Sequence, residues 1–332
     1  MTDRPSRLRP SLDVLAAAPP GIHHGMLRLN HSDDRHAFAL VPIPLAVIVG
    51  AAPGPVLLLV AGNHGDEYEG QAALLGLLHT AEPALLAGRI IVMPALNLPA
   101  VAAGRRVSPL DGGNMNRAFP GDPDGGPTAQ IAHWLDSALL AHVDAVVDLH
   151  SGGRASLYWP VVMATRAADD LALARAFGVP DLLLLGAMND PRSLNAAAAR
   201  RGKAMIAVEL GGGGFIDRAR LAQARAGIAG VLRHLGMSGT GPAPLATLAT
   251  YEIGDTTAYL TAPAAGLFEP LAEIGQTVAA GRPMAKLMFW NEPERPPLTL
   301  AAPRDGLVMA RAARAQVERG DHLYVVLRPA AV

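Results

Sequence analysis

Residues 55–70 read PVLLLVAGNHGDEYEG: an unbroken apolar run stops at Gly62 and gives way at once to Asn63, His64, Asp66 and Glu67. An apolar run without polar alternation fits a strand buried on both faces, as in a parallel sheet covered by helices. The next segment, EGQAALLGLLHTA (69–81), carries helical spacing. Such a strand–turn–helix junction lies beyond the carboxyl end of a strand, where open α/β sheets place their ligand sites. A polar turn with a helix cap accounts for the same residues, so the remaining strands have to separate the two readings.

Working outward, the same apolar pattern returns at RIIVMPAL (89–96), DAVVDLHS (144–151), DLLLLGA (181–187) and AMIAVELG (204–211). Ala/Leu-rich stretches of helical spacing alternate with these runs: TAQIAHWLDSALLAHV (128–143), ADDLALARAFG (168–178) and RARLAQARAGIAGVLRHLG (218–236). The alternation predicts an α/β fold, a mostly parallel or mixed sheet flanked by helices. Upstream, AFALVPIPLAVIVG (37–50) holds Pro42 and Pro44, which suit an edge strand better than a central one. The expected organisation is an N-terminal arm with edge strands over 1–45, a larger α/β domain over 46–238, a Gly/Ser/Pro-rich linker near 236–244, and a β-rich C-terminal domain over 245–332. The last contains an internal repeat. APAAGLFEPLAEIGQTVAAG (262–281) is echoed by APRDGLVMARAARAQVERG (302–320), as in the barrel-sandwich halves of biotinyl- and lipoyl-type domains. The connection MFWNEPERPP (288–297) has no lysine to carry biotin or lipoate, so this domain reads as structural or as a wall of the pocket.

With 332 residues, 50% hydrophobic and 17% charged, the chain is a folded globular protein of about two domains, not a disordered one. A net charge of −1 points to no nucleic acid and no anionic membrane as partner. The absence of cysteine excludes disulfides, thiolate metal ligands and a cysteine nucleophile. VLAAA (14–18), broken at once by Pro19 and Pro20, is too short for a signal peptide, and no apolar run reaches membrane-spanning length, so a soluble cytoplasmic protein is expected.

The polar residues at the strand ends carry the chemistry. His64 and Glu67 are three apart, one helical turn if the turn enters a helix. Asp148 and His150 share one face of the next strand. Glu209 closes a third and is followed by four glycines that admit close backbone approach. Two histidines and a carboxylate form a three-ligand zinc site with a position open for water, and a further carboxylate can move that water's proton. A buried histidine bonded to a carbonyl, or a capping glutamate, is the bland alternative for each residue singly. Asp66 reads as a cap for the helix after it. Between the strands, DGGNMNRAFPGDPDGG (111–126) holds Asn116 and Arg117, which can grip a carboxylate or simply stabilise a turn. Arg105 and Arg106 can reach a carbonyl or stand solvated.

In this order, GNHGDEYEG, NMNRAFPG, DLHSGG and VELGGGG resemble the succinylglutamate desuccinylase/aspartoacylase family of zinc carboxypeptidase-like hydrolases, over roughly residues 20–330. HHGMLRL (23–29) and GGNMNRAFPG (112–121) are most similar to the subgroup that deacetylates N-α-acetyl-L-2,4-diaminobutyrate in ectoine catabolism. The resemblance implies one Zn2+ per chain on His64, Glu67 and His150, with Glu209 as general base and then acid. Asn116 and Arg117 would hold the substrate carboxylate, Arg106 (or its neighbour Arg105) would polarise the scissile carbonyl, and Asp148 would orient His64. A C-terminal tyrosine, Tyr251 or Tyr259, would meet the substrate. The implied partner is a small N-acyl amino acid, with a homo-oligomer possible. A desuccinylase, an aspartoacylase or a zinc carboxypeptidase is the alternative.

Overall fold

The computed structural model describes residues 9–34, 36–186 and 189–331; residues 1–8 of the expected N-terminal arm lie outside them. Its spine is a 14-stranded mixed sheet. At the centre, Ala87–Met93, Ala52–Ala61, Ala145–His150 and Ala204–Gly212 run parallel. Side chains along the 52–61 strand alternate between two cores. Leu57 and Leu59 pack with Leu74, Phe177 and Ile228, while Leu58 and Val60 pack with Met115, Ile131 and Leu194. Both faces are thus covered, which is why this strand is apolar throughout.

The strands Gly21–Asp33 and His36–Val49 form a long antiparallel hairpin at one edge, and the second runs through residues 45 and 46 without a break. Pairing of that strand to Ala87–Met93 begins only at Ala46, so Pro42 and Pro44 lie where no second neighbour needs an N–H. On the far side, Ser156–Ala164 pairs antiparallel with Ala204–Gly212 and parallel with Asp181–Leu184. This strand did not emerge from the apolar pattern. Pro160 interrupts it, and its register shifts between Tyr158 and Val161.

The C-terminal strands do not stand apart. Ala249–Glu252 pairs with Asp181–Leu184 and with His322–Pro329, and Gly306–Ala312 pairs with Ser156–Ala164, so the main sheet continues into the β-rich region. A second sheet runs in the order Leu298–Ala301, Pro283–Met288, Gly266–Pro270, Gln316–Val317. The two repeats interlock. Gly266–Pro270 of the first pairs with Gln316–Val317 of the second, while Thr277–Val278 of the first pairs with Gly306–Ala312 of the second. Phe268, Leu287, Val308, Tyr324 and Val326 share the core between them. Among the described residues no helix is long and apolar enough to cross a membrane.

Candidate metal centre

The chain leaves the 52–61 strand through Gly62, at φ 72°, bends at Asn63 and His64 and turns at Gly65 and Asp66. A β-carbon on Gly65 would lie 2.0 Å from the carbonyl carbon and oxygen of Ala100, so only glycine fits, and its N–H donates to the Arg105 carbonyl at 2.8 Å. Glu67 is the residue before the helix Tyr68–Thr80, with extended φ/ψ of −102°/98°. His64 and Glu67 therefore converge through a tight turn and not through the helical spacing expected of them. Asp66 does not cap that helix either. Its Oδ2 accepts from the Arg154 N–H at 2.9 Å, tying this turn to the loop that follows His150.

His150 ends the Ala145–His150 strand. The Nδ1 atoms of His64 and His150 lie 2.7 and 2.8 Å from the two oxygens of Glu67. All three residues are buried, and one donor atom from each lies within 4.8 Å of the others. The outer ring nitrogens are also occupied: His150 Nε2 meets Asp148 Oδ2 at 2.8 Å, and His64 Nε2 meets Asn114 Oδ1 at 3.1 Å. Asp148 thus orients His150, not His64 as expected, because side chains two apart on a strand share a face. Asn63 Nδ2 donates to both Asp148 oxygens at 2.8 Å. Asn114, which sequence reasoning passed over, orients His64.

With each outer nitrogen donating its proton, both Nδ1 lone pairs face a carboxylate. In that tautomer acceptor faces acceptor, which a bound cation would satisfy, as a proton on Nδ1 does without one. Burial works against charge on Glu67, yet the two histidines outweigh it and hold the carboxyl far below its usual range. Burial likewise opposes charge on His150, but Asp148 and Glu67 on its two sides hold its pKa well above the ordinary value. Two imidazoles and a carboxylate, fixed from behind, fit a divalent ion with a fourth position left open.

Glu209 sits beside this centre because the 145–150 and 204–212 strands pair in register, His150 opposite Glu209. Its strand does not end there but continues to Gly212. Gly211 to Gly214 all take positive φ, and a β-carbon on Gly212 would lie 2.4 Å from the Ser156 carbonyl oxygen. Glu209 Oε2 is buried without a hydrogen-bond partner. Burial pushes its pKa up to about 8, and the Glu67 carboxylate adds to the rise.

A single cavity of about 410 Å3 is lined by His64, Glu67, His150 and Glu209 together with Arg106, Asn116 and Arg117. Arg106 Nη1 reaches to 3.3 Å from Glu67 Oε1, whereas Arg105 offers the turn its backbone carbonyl and does not line the cavity. Asn116 Oδ1 accepts from the Leu194 N–H at 2.9 Å, and Arg117 Nε pairs with Asp190 at 3.0 Å. Asp148 stays behind His150, fully buried and outside the cavity lining. Tyr259 is in the wall; Tyr251 packs instead against the apolar group of Leu183, Met309 and Leu327. Tyr158, Asp190, Glu252 and Arg328 also line the cavity and carry no motif of their own. Burial, and then the Glu209 carboxylate, hold the Tyr158 hydroxyl protonated far above neutrality.

Residues 53–235 match the succinylglutamate desuccinylase/aspartoacylase catalytic domain, and the chain belongs to that family of hydrolases. Its relatives include the N-α-acetyl-L-2,4-diaminobutyric acid deacetylase of Halomonas elongata, 38% identical over an alignment 331 residues long that covers 97% of this chain and 95% of that one. Among solved structures, the product-bound ectoine utilization protein EutE (DoeB) of Ruegeria pomeroyi is 35% identical, with a TM-score of 0.89 over 98% of this chain and 99% of that one. A succinylglutamate desuccinylase/aspartoacylase of Rhodobacter sphaeroides is 33% identical, with a TM-score of 0.88 over 98% and 100% of the two chains.

Proposed function

We propose that this protein is a zinc-dependent deacylase that cleaves the amide bond of N-α-acetyl-L-2,4-diaminobutyrate, releasing acetate and the diamino acid in ectoine degradation. The observation that carries the reading is the register pair His150–Glu209, which sets a carboxyl group with a free oxygen beside a buried His–Glu–His donor set. The substrate is taken from the Halomonas elongata relative, which aligns over nearly the whole of both chains.

His64, Glu67 and His150 would hold a Zn2+, which when bound would supply Lewis acidity and bring the pKa of water towards neutrality. Glu209 removes the proton from the attacking water and delivers it to the leaving amine, and a carboxyl pKa near neutrality suits both duties. Arg106 reaches the same centre and places a guanidinium against the developing oxyanion. Asn116 and Arg117 bind the substrate carboxylate, with Arg117 offering a planar fork. Asp148 and Asn114 hold the two imidazoles in the tautomer that leaves Nδ1 free.

The four cavity arginines, Arg106, Arg117, Arg166 and Arg328, favour a second reading in which the substrate is the N-acyl derivative of a dicarboxylic amino acid, such as N-acetylaspartate or N-succinylglutamate. A screen of these three substrates, with bound metal measured in the same sample, tests both. Preference for N-α-acetyl-L-2,4-diaminobutyrate and about one zinc per chain are expected. Preference for a dicarboxylate would move the substrate and keep the chemistry. Zinc-loaded protein that cleaves no N-acyl amino acid would end the reading.

A further inference from the structure

Four carboxylates line the cavity: Glu67, Asp190, Glu209 and Glu252. Three are committed. Glu67 faces the two histidines, and Glu209 is the proposed base. Asp190 is saturated. Its Oδ1 accepts from the N–H and Nε of Arg192 at 2.8 and 3.0 Å, and its Oδ2 meets Arg192 Nη2 and Arg117 Nε at 2.9 and 3.0 Å.

Glu252 differs. Both hydrogen bonds from Arg328, at 2.9 Å from Nε and 2.6 Å from Nη2, fall on Oε1 and leave Oε2 outside the fork. The third Arg328 nitrogen turns to Asp255 Oδ2 at 3.8 Å, so this guanidinium is shared between two carboxylates; Arg304 stands on the other side of Asp255, 3.9 Å away. Gly254, at φ 74°, leaves the room Arg328 needs, since a β-carbon there would lie 2.7 Å from the guanidinium carbon. The Glu252 side chain is 31% exposed, enough to meet a ligand and too little for water to screen it fully.

We propose that Glu252 is a specificity-determining residue whose carboxylate takes the distal ammonium of an N-acylated diamino acid, with Arg328 holding that carboxylate in place. The inference rests on the deacylase reading. A substrate of this class brings a carboxylate and an ammonium into one cavity, and an ammonium that loses its water needs an acceptor. Asn116 and Arg117 provide for the carboxylate; with Glu67 and Glu209 committed to the metal centre and Asp190 saturated, Glu252 keeps an oxygen for the cation. Tyr158, Tyr259 and Glu252 line the same cavity as Glu209, and both Glu209 and Tyr259 act electrostatically on the Tyr158 hydroxyl. A substrate with an anionic side chain would meet Glu252 as a like charge, which also separates diamino acids from dicarboxylates.

The test compares N-α-acetyl-L-2,4-diaminobutyrate with N-acetyl-L-2-aminobutyrate, which lacks the distal amine, for the native protein, Glu252→Gln and Arg328→Gln, with melting temperatures recorded for each. The native protein should prefer the diamino substrate. In Glu252→Gln the ratio of kcat/KM between the two substrates should fall about tenfold or more, chiefly through KM for the diamino substrate. Arg328→Gln, which keeps the carboxylate but removes the hold on it, should lower that ratio by less than Glu252→Gln does. A purely structural pair would instead lower both activities together in both variants, in step with the melting temperature, and that would overturn the proposal. A native protein with no preference, or a Glu252→Gln variant that keeps it, would do the same. If the native protein cleaves neither substrate, the deacylase reading falls and takes this inference with it.

Discussion

Burial and its neighbour Glu67 raise the Glu209 pKa to about 8, close enough to neutrality to take and return a proton, and its buried Oε2 has no hydrogen-bond partner. Changing it to Gln keeps the shape and removes the proton acceptor. Turnover should drop by about 10²–10⁴-fold while the metal content per chain stays that of the native protein, as metal analysis and initial rates on one preparation will show. Gly65→Ala attacks the centre from the backbone side. Its new methyl would press on the Ala100 peptide, not on a flexible side chain, so a loss of about 1–3 kcal/mol is expected. Metal retained after dialysis should fall with it. Native metal content in Gly65→Ala would show that the turn can relax. His64, Glu67, His150 and Glu209 were legible because each breaks a run that is otherwise apolar or glycine-rich, and a buried polar group there demands a partner. What was not legible were the partners themselves. Asp148 serves His150, Asn114 serves His64, and Glu252 stands near the site only because distant strands meet.

At the level of the element, the loop with Asn116 and Arg117 is held by Asp111, which accepts from the Gly113 N–H and from both the N–H and hydroxyl of Thr128 at the start of the helix Pro127–Trp134. Burial raises the Asp111 pKa, but these hydrogen bonds outweigh it and hold the carboxyl below its ordinary value of 3.8. A depressed folded-state pKa means stability that is present above the unfolded value and is lost as pH falls through the folded one. Asp111→Asn should therefore cost about 1 kcal/mol at neutral pH. The gap to the native protein should close in urea titrations as the pH is taken below the ordinary carboxylate value of 3.8 and through the lower folded-state one. A gap that persists in acid would place the effect elsewhere. The parallel strands and their helices were legible from period alone. Ser156–Ala164, which brings Tyr158 to the cavity, was not, since Pro160 and the shifted register beside it destroy the alternation that announces a strand.

At the scale of the whole molecule, the β-rich region and the hydrolase fold share a sheet, through the pairs Ala249–Glu252 with Asp181–Leu184 and Gly306–Ala312 with Ser156–Ala164. Calorimetry should show one cooperative transition, not two. Chelation of the bound ion should lower that single transition, by up to about 4 kcal/mol if free metal stands near a thousandfold over its dissociation constant. Two transitions, only one of them sensitive to chelator, would contradict this. The linker composition at 236–244 pointed to a boundary, and the repeat pointed to a biotinyl-like shape. Neither pattern contains the strand pairings that cross the boundary, because hydrogen bonding between distant strands leaves little trace in local sequence.

The register pair His150–Glu209 makes catalysis a readout of assembly. A slip of one residue between these two strands would turn Glu209 to the opposite face of the sheet and leave a metal site with no base. Such a misassembled chain could still bind its ion and look compact, yet it would be silent in an assay. In a refolding experiment, recovered metal would therefore count every chain that closed its first two loops, whereas recovered hydrolysis would count only those whose strands met in step. The difference between the two yields measures how often this sheet goes together wrongly.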